Sequence, residues 1–131
     1  MKETRCVGDV MSPNPVSIVD SASLAEAVGI LDSRKVTGLP VVDASGTLVG
    51  VLSQTDLVRA QANQQLAKNW PGLAVGEIMT KPALTISATA RLDEAARVMD
   101  ERRVHRLVVT DEAANPIGII STSDLVRSWL R

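Results

Sequence analysis

Aromatic side chains are almost absent from this sequence of 131 residues. Phenylalanine and tyrosine do not occur, and Trp70 and Trp129 are the only tryptophans. Apolar residues nonetheless make up 45% of the chain. A chain of this length and composition can bury about 60 to 70 percent of its unfolded surface. We therefore expect a hydrophobic core built from valine, leucine, isoleucine and alanine.

An excess of charge of either sign is also lacking. Fourteen basic and fifteen acidic side chains give a formal net charge of −1. The molecule as a whole therefore does not attract a phosphate backbone, and nucleic acid is not expected as its main partner. Cys6 is the only cysteine, which fits a reducing compartment and leaves open an intermolecular disulfide.

Long apolar runs are missing as well. No stretch of about 18 apolar residues occurs, and the opening MKETRCVGDVM lacks the apolar segment of a signal peptide. We therefore predict a cytoplasmic protein that does not span a membrane.

Sequence signatures of catalysis are not found. The chain has neither a GxxxxGK[ST] phosphate loop nor GxGxxG, and no GxSxG motif activates a serine. One histidine and one cysteine do not suffice for a structural zinc site with four ligands. The sequence therefore predicts no catalytic residue, no metal site and no enzymatic activity.

The sequence contains an internal duplication. A shift of 68 positions, the offset between Gly50 and Gly118, aligns residues 7–63 with residues 75–131 without a gap, and about 20 of the 57 pairs are identical. The repeat is clearest in GVLSQTDLVR at 50–59 and GIISTSDLVR at 118–127. Duplications of this kind indicate a unit that does not bury its apolar face alone. We expect the two copies to share one core, with residues 64–74 as a connector.

Each copy has the same predicted order of elements. A short apolar run after prolines, at 16–19 and at 84–86, predicts a strand entered from a loop. Ser21 or Thr89 is then placed to cap a helix whose apolar residues recur every three or four positions. Paired apolar runs, 39–42 with 48–52 and 107–109 with 117–120, are typical of a hairpin. A second helix begins at Ser53 or Ser121, so the prediction is an α/β (α+β) fold of two β-α-β-β-α repeats.

The repeated motifs resemble those of tandem CBS domains, the regulatory modules named after cystathionine beta-synthase. They are V-G-[DE]-[VI]-M-[ST] at 7–12 and 75–80, L-P-V-V-D at 39–43 with L-V-V-T-D at 107–111, and G-x-[LI]-S-x-[TS]-D-L in both copies. The resemblance covers residues 7–131. It implies a Bateman-type module in which two CBS domains, 7–63 and 75–131, are related by a pseudo-twofold axis and form two clefts. In many relatives these clefts bind AMP, ADP, ATP or S-adenosylmethionine.

The resemblance implies a role for the serine and aspartate of the last motif. Asp56 and Asp124 would accept hydrogen bonds from ribose hydroxyls, because a carboxylate offers paired acceptors to a diol. Ser53 and Ser121 would lie beside free backbone N–H groups at a helix start, where phosphate is stabilised. The alternative is a capping box that needs no ligand. Thr55 and Ser123 belong to the same candidate site.

His105 and Arg106 form a second candidate group. The pair resembles a His-Arg dipeptide that contacts phosphate at this place in CBS domains that bind adenine nucleotides. The guanidinium of an arginine can donate two hydrogen bonds to phosphate oxygens. The first copy has the uncharged Thr37 and Gly38 instead, so one cleft is predicted to be better equipped for phosphate. The alternative is a solvated helix end, where cations favour the helix dipole.

The resemblance also implies an adenine pocket made by apolar side chains and main-chain groups of the first two strands. The alternative for its apolar members is a place in the core. In the second copy Val108 replaces Pro40, which alters the pocket. The residues implied are Val16, Ser17, Ile18, Leu39 and Pro40 in the first copy, and Thr85, Ile86 and Leu107 in the second.

We therefore predict a regulatory module that senses an adenosine nucleotide, requires no cofactor and modulates a separate partner protein. From the resemblance we also expect a homodimer. The alternative function is an interaction scaffold that dimerises or docks through apolar helix faces and binds no nucleotide.

Overall fold

The computed structural model describes residues 4–70 and 72–130. The described residues form seven helices and seven strands. In chain order they are α1 (Val7–Val10), β1 (Ser12–Pro13), β2 (Ile18–Val19), α2 (Leu24–Arg34), β3 (Gly38–Val42), β4 (Leu48–Ser53), α3 (Gln54–Ala62), α4 (Gln64–Ala67), α5 (Val75–Ile78), β5 (Thr85–Ser87), α6 (Leu92–Arg102), β6 (Arg106–Thr110), β7 (Pro116–Ser121) and α7 (Thr122–Ser128).

The chain divides into two compact units whose boundaries differ from those of the sequence repeats. The continuous unit is Val16–Ala83, and the split unit consists of the described residues of Met1–Pro15 and Leu84–Arg131. Residues 7–15 of the first repeat thus belong to the split unit, and residues 75–83 of the second belong to the continuous unit. Each repeat contributes its opening V-G-[DE]-[VI]-M-[ST] motif to the unit built mainly from the other.

The continuous unit contains a sheet of three strands in the order β2-β3-β4. Strand β2 is parallel to β3, with Ile18 opposite Val41, and β3 and β4 form the predicted antiparallel hairpin. The sheet and its helices share one buried apolar cluster, made of Ile18, Leu24, Ala27, Leu31, Leu39, Val41, Leu52, Leu57, Leu73 and Val75.

The split unit contains a sheet of four strands in the order β1-β7-β6-β5. Strands β5 and β6 are parallel, with Ile86 opposite Val109, and β6 and β7 form the second hairpin. Strand β1 adds to the free edge of β7 with Ser12 opposite Ile119. The buried cluster of this unit is Val7, Ile86, Leu92, Ala95, Met99, Leu107, Val109, Ile120 and Leu125.

The opening motif of each repeat is held by backbone hydrogen bonds at equivalent places. The N–H of Val75 donates to the carbonyl of Ala22 at 2.8 Å, and the N–H of Val7 donates to that of Ala90 at 2.8 Å. Both valines are fully buried. The expectation of one shared core is therefore wrong, because each unit has its own cluster, but each cluster is completed by a valine from the other repeat.

Two local predictions are also corrected. The first helix of each repeat begins later than predicted, because Ser23 rather than Ser21 accepts the N–H of Glu26, at 3.1 Å. In the second repeat Thr89 bonds to the Ser87 hydroxyl instead, and the N-cap is Arg91, which has no side-chain cap. The first strand is also shorter than the predicted 16–19, since pairing to β3 covers Ile18–Val19.

The hairpin turns are closed by the two repeated aspartates. The carboxylate of Asp43 accepts the amides of Ser45 and Thr47, and that of Asp111 accepts those of Ala113 and Asn115. The Asn115 backbone amide lowers the pKa of Asp111 below its ordinary value, because the bond favours the charged form. These bonds fix the turn in both hairpins.

The remaining segments connect these elements. The predicted connector contains α4, capped by the Asn63 side chain, and Pro71 of the connector lies outside the described residues. The longest helices, α2 and α6, have 11 residues each, so none in the described part of the chain has the length and apolar character of a membrane span. Cys6 is half-buried, and its thiol donates to Asp9 Oδ2 at 3.3 Å.

Candidate functional site

The structure places the predicted site residues of each repeat within one unit. Those of the first repeat, from Val16 to Asp56, lie in the continuous unit, and those of the second, from Thr85 to Asp124, lie in the split unit. In both units they gather where the hairpin meets its following helix and along the neighbouring edge strand. The two groups are described separately below.

In the split unit, His105 and Arg106 lie beside the start of α7. Arg106 is the first residue of β6 and faces Ser121, the last residue of β7. The N–H of Thr122 donates to the carbonyl of His105 at 2.9 Å. The His105 side chain is exposed and that of Arg106 is half-buried. The hairpin register thus brings both basic residues next to the motif that contains Asp124.

The continuous unit has the same backbone arrangement without the charges. Gly38 faces Ser53 in the hairpin, and the N–H of Gln54 donates to the carbonyl of Thr37 at 3.1 Å. Thr37 and Gly38 carry no charge, so this unit has no basic side chain at the position that His105 and Arg106 occupy in the other.

Asp56 is buried, with 3% of its surface exposed. Its Oδ2 accepts the backbone N–H and the hydroxyl of Ser53 at 2.9 and 3.1 Å. Its Oδ1 accepts the Thr80 hydroxyl at 2.9 Å and Arg59 Nη1 at 3.4 Å. The carboxylate therefore joins the end of β4, helix α3 and the opening motif of the second repeat within one unit.

Asp124 is also buried, with 8% exposed, but it has fewer partners. Its Oδ2 accepts the N–H of Ser121 at 2.8 Å, and its Oδ1 accepts Arg127 Nη2 at 2.6 Å. Burial of both aspartates excludes the arrangement in which these carboxylates point into bulk water.

Ser53 and Ser121 are N-caps of α3 and α7, each in a complete capping box. Their hydroxyls accept the N–H of Asp56 and of Asp124, at 3.3 and 3.2 Å. The adjacent N–H groups of Gln54 and Thr122 are already bonded to carbonyls. The expectation of free N–H groups is therefore wrong for the first and third amides of each helix. The first donates to the carbonyl of the residue before the hairpin, and the third donates to the hydroxyl of the serine that caps the helix.

The residues predicted for the adenine pocket fall into two groups. Ile18, Leu39, Ile86 and Leu107 are members of the two buried clusters, so their side chains pack in the core. Ser17 and Thr85 are exposed and Val16 is half-buried, whereas Pro40 and its counterpart Val108 are buried. Strands β2 and β5 lie at sheet edges, so one side of each offers backbone groups. Thr55 and Ser123 are exposed on the first turn of their helices.

Three residues at these positions were missed by reasoning from sequence. Arg59 and Arg127 each lie three residues after an aspartate and form an ion pair with it. Both occur in the repeated D-L-V-R, which carried this signal. Thr80 is 24 residues from Asp56, and no local pattern connects the two.

The family profile for the CBS domain matches residues 7–63 and 75–131. The fold repeats the predicted β-α-β-β-α order, with the repeated motifs at the junction between hairpin and helix. The chain therefore belongs to the CBS domain family.

Individual relatives are consistent with this membership. CBSX2, a chloroplastic CBS domain-containing protein of Arabidopsis thaliana, is 34% identical over 95% of this chain and 63% of its own length. Inosine-5'-monophosphate dehydrogenase of Nitrosopumilus maritimus is 30% identical over 92% of this chain and 24% of its own length. The chain thus spans less than two thirds of CBSX2 and about a quarter of the dehydrogenase.

Two solved structures match nearly the whole chain. The structure of CBSX2 in complex with AMP has a TM-score of 0.85 and 36% identity, covering 97% of both chains. The CBS domain pair of protein MJ0100, in complex with 5'-methylthioadenosine and S-adenosyl-L-methionine, has a TM-score of 0.86 and 27% identity, covering 98% of this chain and 97% of that one.

Proposed function

We propose that this chain is a regulatory module that senses an adenosine nucleotide and modulates a separate protein. The observation that carries the proposal is the split-unit junction, where the hairpin register sets His105 and Arg106 beside the motif of the buried Asp124. Matching CBS pairs are described in complex with AMP, 5'-methylthioadenosine and S-adenosyl-L-methionine, which supports an adenosine compound as ligand.

Each part of the ligand has a chemical counterpart in the split unit. We assign the phosphate to His105 and Arg106, since a guanidinium donates two parallel hydrogen bonds to phosphate oxygens. We assign the ribose diol to Asp124, which offers acceptors only. The backbone of edge strand β5, from Thr85 to Ile86, is assigned to the adenine ring. No step of this assignment requires a metal, a cofactor or bond-breaking chemistry.

The module acts on its partner through the ligand's unequal affinity for two arrangements of the protein, since a ligand that binds both equally shifts nothing. The proposal includes a cytoplasmic location and a homodimer, neither of which depends on the identity of the nucleotide. Val58 on α3 and Val126 on α7 are 68% and 53% exposed and are available for an interface.

We expect an adenosine ligand to stabilise the chain against heat. At a free concentration of about 100 times its dissociation constant, a ligand that binds only the folded state adds roughly 2.7 kcal/mol to the free energy of unfolding. Thermal unfolding with and without AMP, ADP, ATP and S-adenosylmethionine measures this, with guanosine monophosphate as the control nucleotide. Identical midpoints in all samples would contradict the proposal and favour the scaffold that binds no nucleotide.

Changing Arg106→Ala is expected to weaken AMP binding about tenfold while leaving adenosine binding within twofold, because the lost charge-assisted bonds, roughly 1.5 kcal/mol, go to the phosphate alone. Arg34→Ala is the matched control, since Arg34 is exposed in the last turn of α2, in the continuous unit. Calorimetric titration of both variants with both ligands gives the comparison. An equal loss for adenosine and AMP would show that Arg106 supports the fold and does not bind phosphate.

A further inference from the structure

The two buried aspartates differ in how many hydrogen-bond donors they already accept. A carboxylate has about four acceptor positions. Asp56 accepts four donors: the N–H and hydroxyl of Ser53, the hydroxyl of Thr80 and the guanidinium of Arg59. Its acceptor capacity is therefore filled by the protein itself.

Asp124 accepts two donors within the described part of the chain, the N–H of Ser121 and the guanidinium of Arg127. Two acceptor positions remain, which equals the number of hydroxyls in a ribose diol. The Arg127 side chain is 60% exposed, so it has room to move aside when a ligand binds.

Two hydroxyl donors make the difference. One is that of Ser53, whose counterpart in Ser121 is not among the donors to Asp124, and the other is that of Thr80. Thr80 pairs with Val51 through two backbone hydrogen bonds of 2.9 and 3.0 Å, and Ser12 faces Ile119 at the equivalent place in the split unit. The Thr80 hydroxyl reaches Asp56, whereas the donors to Asp124 do not include the Ser12 hydroxyl. Threonine is restricted at χ1 by its branched Cβ, and serine rotates more freely, so threonine holds its hydroxyl on the carboxylate more firmly.

We propose that the chain has one ribose-binding carboxylate, Asp124, and that Thr80 closes the equivalent position at Asp56. This inference rests on the proposed function and makes it specific: the chain binds one adenosine nucleotide, in the split unit, and Asp56 is a structural residue. Release of Arg59 alone does not reopen Asp56, because three donors remain and leave one acceptor for two hydroxyls. The ribose role predicted for Asp56 from sequence is the alternative that the following experiments test.

The first test is the stoichiometry of AMP binding to the whole chain by titration calorimetry. One site per chain is expected in the unmodified protein, with binding lost or at least tenfold weaker in Asp124→Asn and retained within threefold in Asp56→Asn. Two equivalent sites, or loss of binding in a folded Asp56→Asn variant, would overturn the inference. Binding of no adenosine compound at all would instead overturn the proposed function, so the two failures are distinguishable.

The second test uses a pair of conservative exchanges and does not depend on whether Asp56→Asn folds. Ser12→Thr places a restricted hydroxyl next to Asp124 and is expected to weaken AMP binding about tenfold, since it competes with the ribose. Thr80→Ser is the matched control and is expected to leave AMP affinity within twofold. Circular dichroism confirms that both variants are folded. Equal affinities for Ser12→Thr and the unmodified chain, or a loss of AMP affinity in Thr80→Ser, would contradict the role given to these residues.

Discussion

Removal of residues 1–15 is expected to lower the free energy of unfolding by about 4 kcal/mol and to affect the split unit first. Residue Val7 is part of the first repeat in sequence, but it lies in the buried cluster of the split unit, which contains Ile86 and Leu92. The removed residues also supply β1, the edge partner of β7. Loss of a fully buried side chain leaves a cavity, and such losses cost about 2 to 5 kcal/mol in proteins.

Thermal unfolding and hydrogen exchange together test this expectation. For a chain of 131 residues, a loss of about 4 kcal/mol corresponds to a fall in Tm of roughly 15 °C. Exchange should rise in β7, which loses its edge partner β1 but keeps β6, and change least in β3 of the continuous unit. Val7→Ala in the full chain should reproduce part of the loss, whereas Val58→Ala, at a position 68% exposed, should change stability by less than about 0.5 kcal/mol. An unchanged midpoint in the truncated chain would show that the opening motif does not complete the core.

The order of elements in each repeat could be predicted because its signals are local. The hairpins required only two apolar runs and a turn, and the aspartate at each turn, Asp43 and Asp111, occurs in both repeats. Helix starts were harder, since the segments before α2 and α6 contain several residues able to cap. The choice of Ser23 over Ser21 depends on which hydroxyl reaches the N–H of Glu26, and composition does not determine that.

The exchange of opening motifs between units could not be predicted from the repeat. Sequence alignment assigns Val7 to the first copy and Val75 to the second, because alignment compares residues and not contacts. Whether Val75 packs on its own strand or on the loop after β2 depends on the path of the chain between units. The hydrogen bond from Val75 to Ala22 is a long-range contact with no local signature.

The candidate site, too, could be predicted only in part from the sequence. The two aspartates and the basic pair, His105 and Arg106, could be chosen from sequence because their motifs resemble those of CBS domains. Comparison of the two repeats then showed that the basic pair occurs in the second repeat and not at the equivalent positions of the first. The hydrogen bond between Thr80 and Asp56 could not be predicted from the sequence. Ser12 and Thr80 occupy equivalent positions and both carry a hydroxyl, so the sequence does not show that only the Thr80 hydroxyl bonds to the aspartate of its unit. The distinction that we propose between a ligand-binding and a structural aspartate therefore rests on contacts that form only in the folded unit.

Gly50→Ala is expected to destabilise the chain by about 3 kcal/mol, roughly 10 °C in Tm. A Cβ at Gly50 would lie 2.8 Å from the backbone carbonyl oxygen of Thr80 and 2.7 Å from Met79 Sδ. The thioether can rotate away, but the carbonyl is fixed by its hydrogen bond from the N–H of Val51, at 3.0 Å. The substitution must therefore separate β4 from the segment after α5 and break this bond.

Gly118→Ala is the matched control, because Gly118 occupies the equivalent position in the second repeat. The three nearest atoms to its added Cβ all belong to the flexible Met11 side chain, so we expect a loss of about 1 kcal/mol, the lower end for overpacking. Thermal unfolding of the two variants gives the difference directly. Equal losses would contradict the argument, since they would mean that the Thr80 carbonyl yields as readily as a methionine side chain. A larger loss in Gly50→Ala would explain the glycine at position 50: it permits close approach of the opening motif of the second repeat to the hairpin, where Thr80 reaches Asp56.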